Sequence, residues 1–246
     1  MVKSYFNINY EFDKDEVFKH INYRLSLPGS DYISVADGVI LSTANSNSEY
    51  LDVINNGMFA ICDSGYVPVY IRLIHGIKYK QYSGSQIFMD IVKMCKYRMA
   101  FLGAQQNVLD GLKESLVKHN PYVKNMLFYE LPFLPVEEFD YPAIAEMVDN
   151  DGAEIIWVAL GAPKQEYFMS HLKPYLHHGI MIAVGAAFKF HSNTDVRRAP
   201  EWMIRNHMEF IHRIIVEPKK QIRRCRHIIG TLPMILWNEW QRKNSK

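Results

Sequence analysis

Asp63, Ser64 and Gly65 directly follow the apolar run at 58–62. A carboxylate at the carboxyl end of a strand can project into a ligand crevice and take a proton as a general base, although Asp is equally a common turn residue there. A second group of interest is Gly161-Ala162-Pro163-Lys164-Gln165-Glu166, after the hydrophobic segment IIWVAL. Glycine at a strand end lets backbone approach a ligand closely, Pro163 suits a helix start, and the free N–H groups of a helix N-terminus face an anion or a polar sugar. Leu102-Gly103-Ala104-Gln105 forms a third turn of this kind. Neither GxGxxG nor GxxxxGK[ST] occurs, so the dinucleotide and P-loop readings lack their motifs. Thr43 and Asn45 supply an uncharged hydroxyl and amide, groups that suit carbohydrate hydroxyls and that also cap helices.

The elements that must hold these residues alternate. Apolar, β-branched runs at 32–35, 58–62, 99–102, 126–129, 155–160 and 180–184 predict strands. Helical periodicity predicts helices at 15–25, 46–55, 86–94, 107–119, 136–148 and 164–172. Repeated strand-helix-strand units make an α/β fold with a largely parallel, Rossmann-like sheet and a ligand crevice at the carboxyl strand ends. After Arg198-Ala199-Pro200 the pattern turns almost wholly helical, with helix at 201–216, a restart at Pro218 and a break near Gly230 and Pro233. The expected organisation is an α/β core at 1–196 and a basic, amphipathic helical appendage at 197–246.

The chain has 246 residues, 48% hydrophobic and 22% charged, the composition of a globular protein and not of a disordered one. Its longest stretch free of Asp, Glu, Lys and Arg is shorter than the ~20 apolar residues of a spanning helix. The N-terminus lacks the h-region of a secretory signal, so a cytoplasmic location is expected. The three cysteines, Cys62, Cys95 and Cys225, are too scattered for a disulfide framework or a CxxC site and are expected to be reduced and mostly buried. No HxxxH or HExxH pair occurs, so no zinc site is expected.

The net charge of +2 conceals an asymmetry. From Arg197 onward, 12 Lys or Arg stand against 4 Asp or Glu, and the preceding residues are net acidic. A basic end of this kind meets phosphates of a nucleotide, a nucleic acid or an anionic bilayer, or is simply a solvated helix surface. Ile228, Ile229, Leu232, Met234, Ile235, Leu236, Trp237 and Trp240 follow the basic run at once. That order suits a helix lying on a membrane, or a face packed on the core.

Taken together, VALGAPKQEYFMSHL, AVGAAFKF, RRAPEWM, HMEFIHRI and VEPKKQIRR resemble the WecG/TagA/CpsF glycosyltransferases, glycosyltransferase family 26, with agreement from about Asp31 to Arg226. The resemblance implies inverting, metal-independent transfer of a sugar, without a cofactor, from a UDP-sugar to a polyprenyl-diphosphate-linked acceptor. The setting it implies is bacterial surface polysaccharide or teichoic acid synthesis, at the inner face of the plasma membrane. It further implies Asp63 as base, Thr43 and Asn45 as a polar pair in the substrate pocket, and Gln165 as the pocket glutamine. The strand-end glycines Gly103 and Gly161, read from their position and not from the resemblance, are expected to line the same substrate-binding crevice. Arg213, Lys220 and Arg223 or Arg224 are implied to meet the donor diphosphate from the appendage. The chemistry is coherent by itself: displacement at an anomeric carbon needs a carboxylate to accept the acceptor's proton and positive charge to stabilise the departing diphosphate. No DxD motif is present to hold a metal ion for the second task.

Three places depart from the family pattern. Lys80-Gln81-Tyr82-Ser83-Gly84-Ser85-Gln86 stands where relatives read E-R-V-x-G-x-D, so Gln81 and Gln86 replace an arginine and an aspartate. Asp63-Ser64-Gly65 interrupts the usual D-G, and Phe188-Lys189-Phe190 replaces F-D-F. These changes leave the donor sugar open. They also keep alive a scaffold reading, a member with impaired catalysis; a nucleic-acid module using the basic tail is the other alternative, but the acidic body and the absence of an RRM-like or zinc-finger signature speak against it, and no nucleic-acid partner is expected.

Overall fold

Strands that are apolar on both faces belong in the middle of a parallel sheet covered by helices on each side. The computed structural model describes residues 2–192, Met203, Ile215 and 218–245. It contains β3 (Gly29–Ala36), β4 (Phe59–Cys62), β5 (Met99–Gly103), β6 (Leu127–Tyr129), β7 (Ile155–Ala159) and β8 (His178–Ala183), close to the expected strands. An unanticipated hairpin, β1 (Lys3–Tyr5) and β2 (Ile8–Tyr10), extends one edge. The eight strands run in the order β1-β2-β4-β3-β8-β7-β5-β6, and β1 is the antiparallel one. The fold is Rossmann-like α/β.

Alternate residues of each strand serve opposite layers. Ile33, Val35, Phe101 and Trp157 face α1 (Lys14–Leu25), α5 (Gly84–Met94), α6 (Gln106–Val117) and α9 (Ala187–His191). Tyr32, Leu102, Val158 and Met181 pack with α7 (Tyr141–Asp151) and α8 (Lys164–Leu172). Ala36, Ala60 and Cys62 pack with α2 (Gly38–Ser46), α3 (Ser48–Asn55) and α4 (Val67–His75). Four of these helices correct the sequence-based expectation, and two of them, α4 and α9, stand where no helix was expected. A helix α2 precedes the expected one because Asp37 caps it, and α7 starts late because Asp140 and Pro142 set its first turn. Cys62 is buried, but Cys95 is exposed, since it ends α5 in a left-handed conformation.

The helix expected at 201–216 lies outside the described residues apart from Met203 and Ile215, as does the expected boundary at 196. Beyond it, α10 (Pro218–Asn244) is one uninterrupted helix, where a break near Gly230 and Pro233 was expected. Proline inside a helix removes one backbone hydrogen bond and crowds the turn before it. Packing outweighs that cost here: Ile235 is buried in the layer of α2 and α4, and the buried Glu239 anchors the helix end. Glu239 accepts from the Phe6 backbone N–H at 2.8 Å and lies 2.8 Å from His75 Nε2 and 2.7 Å from Arg242 Nη2. Glu239→Ala leaves the buried Phe6 N–H and the half-buried His75 and Arg242 unmatched and should cost about 3 kcal/mol. Urea midpoints of the two proteins check this, and an unchanged midpoint would show that the anchor carries no stability.

Candidate active site

The carboxyl ends of the parallel strands form one edge of the sheet, and the residues that follow them line it. Along that edge Asp63 follows β4, Asp37 follows β3, Gly185 stands just beyond β8, Gly161 just beyond β7, and Gly103 ends β5. At strand spacing, β4 and β7 lie roughly 14 Å apart, a span suited to an extended polar ligand.

Asp63 is held on three sides. Its backbone N–H donates to the Ala36 carbonyl at 3.0 Å, which continues the β3–β4 pairing by one residue. The carboxylate Oδ1 accepts the Gly84 N–H at 2.9 Å, the free donor at the start of α5, and the Gln81 Nε2 donates to the Asp63 carbonyl at 2.7 Å. A carboxylate at a helix N-terminus is favoured by the unsatisfied donors and the helix dipole. Gln86 completes this brace: its side chain accepts from the Ser83 N–H at 2.9 Å in a capping box that fixes the α5 start. Gln81 and Gln86, which were singled out as departures in the sequence, therefore build the mount for Asp63.

Thr43 and Asn45 lie inside α2 and not at the end of β3. The Asn45 position is about 12 Å along the helix from Asp37. Its amide donates to the Phe6 and Leu41 carbonyls at 3.0 and 2.9 Å and accepts from Asn7, tying down the β1–β2 turn. The Thr43 hydroxyl sits 3.3 Å from His227 Nε2 on α10. The residue that does occupy the end of β3 is Asp37, which sequence reasoning passed over. Its signal was the Asp37-Gly38 pair after the run ISVA, the sign of a strand end and a helix cap.

Asp37 joins the crevice to the C-terminal helix. Oδ1 accepts from the Val39 and Ile40 N–H groups at 2.9 Å, and Oδ2 pairs with Arg224 Nη2 at 2.8 Å. Both side chains stay partly open to water, so the guanidinium is placed at the crevice edge without being sealed away. Arg223 is exposed on the same helix. Lys220 belongs to α10, while its side chain and all of Arg213 lie outside the described residues.

On the other side, Gly161 and Gly103 both have positive φ but differ in what surrounds them. A Cβ on Gly161 would meet nothing within 4 Å, whereas one on Gly103 would come within 2.9 Å of the Ala159 carbonyl. Gly103 is thus demanded by strand packing, and Gly161 opens space above the sheet. The Gly161 N–H donates at 3.0 Å to Gln165 Oε1, and Gln165 Nε2 donates at 2.8 Å to Glu166 Oε1. Tyr50 of α3 donates at 3.0 Å to the second oxygen of Glu166. Glu166 is fully buried, and burial, with a smaller contribution from Asp37, pushes its carboxyl up to about 7 against the hydrogen bonds from Gln165, Tyr50 and its own backbone that favour the ionised form. Glu166 stood in the quoted motif, but nothing in one sequence marked it as buried. Among the described residues, no three His, Cys, Asp or Glu side chains gather to hold a metal ion.

Among known proteins, two enzymes named N-acetylglucosaminyldiphosphoundecaprenol N-acetyl-beta-D-mannosaminyltransferase are similar to this chain. One, from Bacillus subtilis strain 168, is 26% identical over 198 residues, covering 76% of this chain and 75% of its own. The other, from Bacillus spizizenii, is 24% identical over 200 residues, covering 77% of this chain and 76% of its own. A family model, described as the glycosyl transferase WecG/TagA/CpsF family, matches residues 5–246. That match runs from β1 through the strand-end crevice to the end of α10, and the chain belongs to the WecG/TagA/CpsF family of glycosyl transferases.

Proposed function

We propose that this protein transfers an N-acetylhexosamine-type sugar, N-acetylmannosamine first among the candidates, from its UDP-linked form to a sugar on a polyprenyl diphosphate. The observation that carries this reading is the pairing of a braced carboxylate, Asp63, with a guanidinium, Arg224, delivered to the neighbouring strand end through Asp37. Asp63 takes the proton from the acceptor hydroxyl as its oxygen attacks the anomeric carbon. The bond to the diphosphate breaks on the opposite face, which inverts the centre. Arg224, with Arg223, Lys220 and Arg213, supplies positive charge for the departing UDP in place of a metal ion. The named relatives act on an acceptor of this lipid-linked kind.

No helix of the described residues is long and apolar enough to cross a membrane. The acceptor is reached from the surface instead: Ile222, Ile229, Met234, Trp237 and Trp240 are exposed on α10, and the two tryptophans stack at 5.2 Å. Their spacing puts them along one side of the helix, an arrangement suited to a headgroup interface. The test is UDP release with a panel of UDP-hexoses and UDP-N-acetylhexosamines, on polyprenyl-diphosphate-linked acceptors in anionic vesicles, with and without EDTA. Release that requires the acceptor and ignores EDTA is expected. Failure with every donor overturns the transferase reading, and loss of activity in EDTA overturns the role given to the basic residues.

A further inference from the structure

We infer that Glu166 is a positioning residue that sets which hydrogen-bonding group Gln165 presents in the crevice. This deepens the reading above, in which Gln165 lines the substrate pocket. A side-chain amide can sit either way round, and its two orientations offer opposite polarity to a ligand. Here both ends are specified. The Gly161 N–H can only donate, so it selects the Gln165 oxygen, and an ionised Glu166 can only accept, so it selects the Gln165 nitrogen. An amide nitrogen carries two donors. With one committed to Glu166, the second is what Gln165 has left to offer a hydroxyl or phosphoryl oxygen of the substrate. Gly185, in the loop after β8, faces the same amide: a Cβ there would stand 3.6 Å from Gln165 Oε1, and the glycine leaves that space open beside it.

Glu166 itself is fixed by Tyr50 from α3, through the oxygen that Gln165 does not use. The result is a chain of contacts from α3 through α8 to the turn after β7. The other titratable or charged groups that face Glu166 are Asp37 at the end of β3, Tyr32 on β3 and Tyr50. Burial pushes the Tyr32 hydroxyl up to about 12 and holds the Tyr50 hydroxyl well above its ordinary value, so neither ionises near neutrality. Ionised Glu166 holds Gln165 by a charge-assisted bond; protonation reduces it to a neutral one. Transfer should therefore rise with pH through neutrality as Glu166 loses its proton.

The experiment follows the Gln165 side-chain amide in the 15N spectrum of the whole protein, assigned by its loss in Gln165→Leu, over roughly pH 5.5 to 8.5. In the wild type its shift should titrate near neutrality, in Asp37→Asn the titration should persist, and in Glu166→Gln it should vanish. Glu166→Gln should also lower kcat by about tenfold or more with UDP affinity little changed, as misorientation of a pocket group does. The inference is overturned by an amide that ignores both pH and Glu166→Gln, by a titration that Asp37→Asn removes, or by a variant with the wild-type rate and pH profile. A wild type inactive on every donor would sink the transferase reading alone, because the amide titration still decides what Glu166 does to Gln165.

Discussion

Asp63→Asn should lower the transfer rate by about 10²-fold or more while UDP affinity changes little, as expected on removing a general base. Asparagine keeps the oxygen that accepts the Gly84 N–H at 2.9 Å, and the backbone bonds from Gln81 and to Ala36 do not involve the side chain. The fold around β4 and α5 therefore survives, and the loss reports on proton transfer. Asp63→Ala is a poorer probe, because it also strips the α5 N-terminus of its acceptor. The measurement is single-turnover transfer to the lipid-linked acceptor beside UDP binding by calorimetry. Near-normal turnover in Asp63→Asn would remove Asp63 from this role and make Asp37 the next carboxylate to test.

Loss of the Arg224 guanidinium should be nearly as damaging. Stabilising charge at a departing group is typically worth about 10² to 10³ in rate for each donor removed, so Arg224→Ala should lose activity on that scale. Its cost in stability should be small, because the pair with Asp37 is partly exposed and such pairs contribute about 1 kcal/mol or less. Arg224→Lys restores the charge without the two-pronged fork and should recover only part of the rate. The expected signature is an almost unchanged melting temperature with a collapse in kcat. A fall of both together would mean that Arg224 serves to dock α10. Single substitutions isolate this chemistry better than deleting α10, since deletion would also remove the buried Ile235, Gln221 and Glu239 from the body of the protein.

The alternation of apolar runs with helical periods specified the parallel sheet, because strands buried on both faces must be continuously apolar and the helices between them must bury one stripe. Lys164–Leu172 matches the expected helix residue for residue, and Asp63 sits where a strand-end carboxylate was expected. Elements governed by capping and long-range contact were not legible in the same way. Thr43 and Asn45 were expected to serve a substrate pocket or cap a helix, but the Asp37 cap starts α2 early enough to place both inside it, away from the end of β3. The continuity of α10 through Pro233 depends on burial of Ile235 and Glu239 against α2, α4 and the N-terminal hairpin, partners more than 150 residues distant in sequence. Asp37 with Arg224 and Tyr50 with Glu166 likewise depend on partners more than 100 residues apart. Local sequence sets which residues can form a strand, a cap or a turn. Which carboxylate is buried, which is braced by a helix end and which receives an arginine are decided only when distant segments desolvate one another.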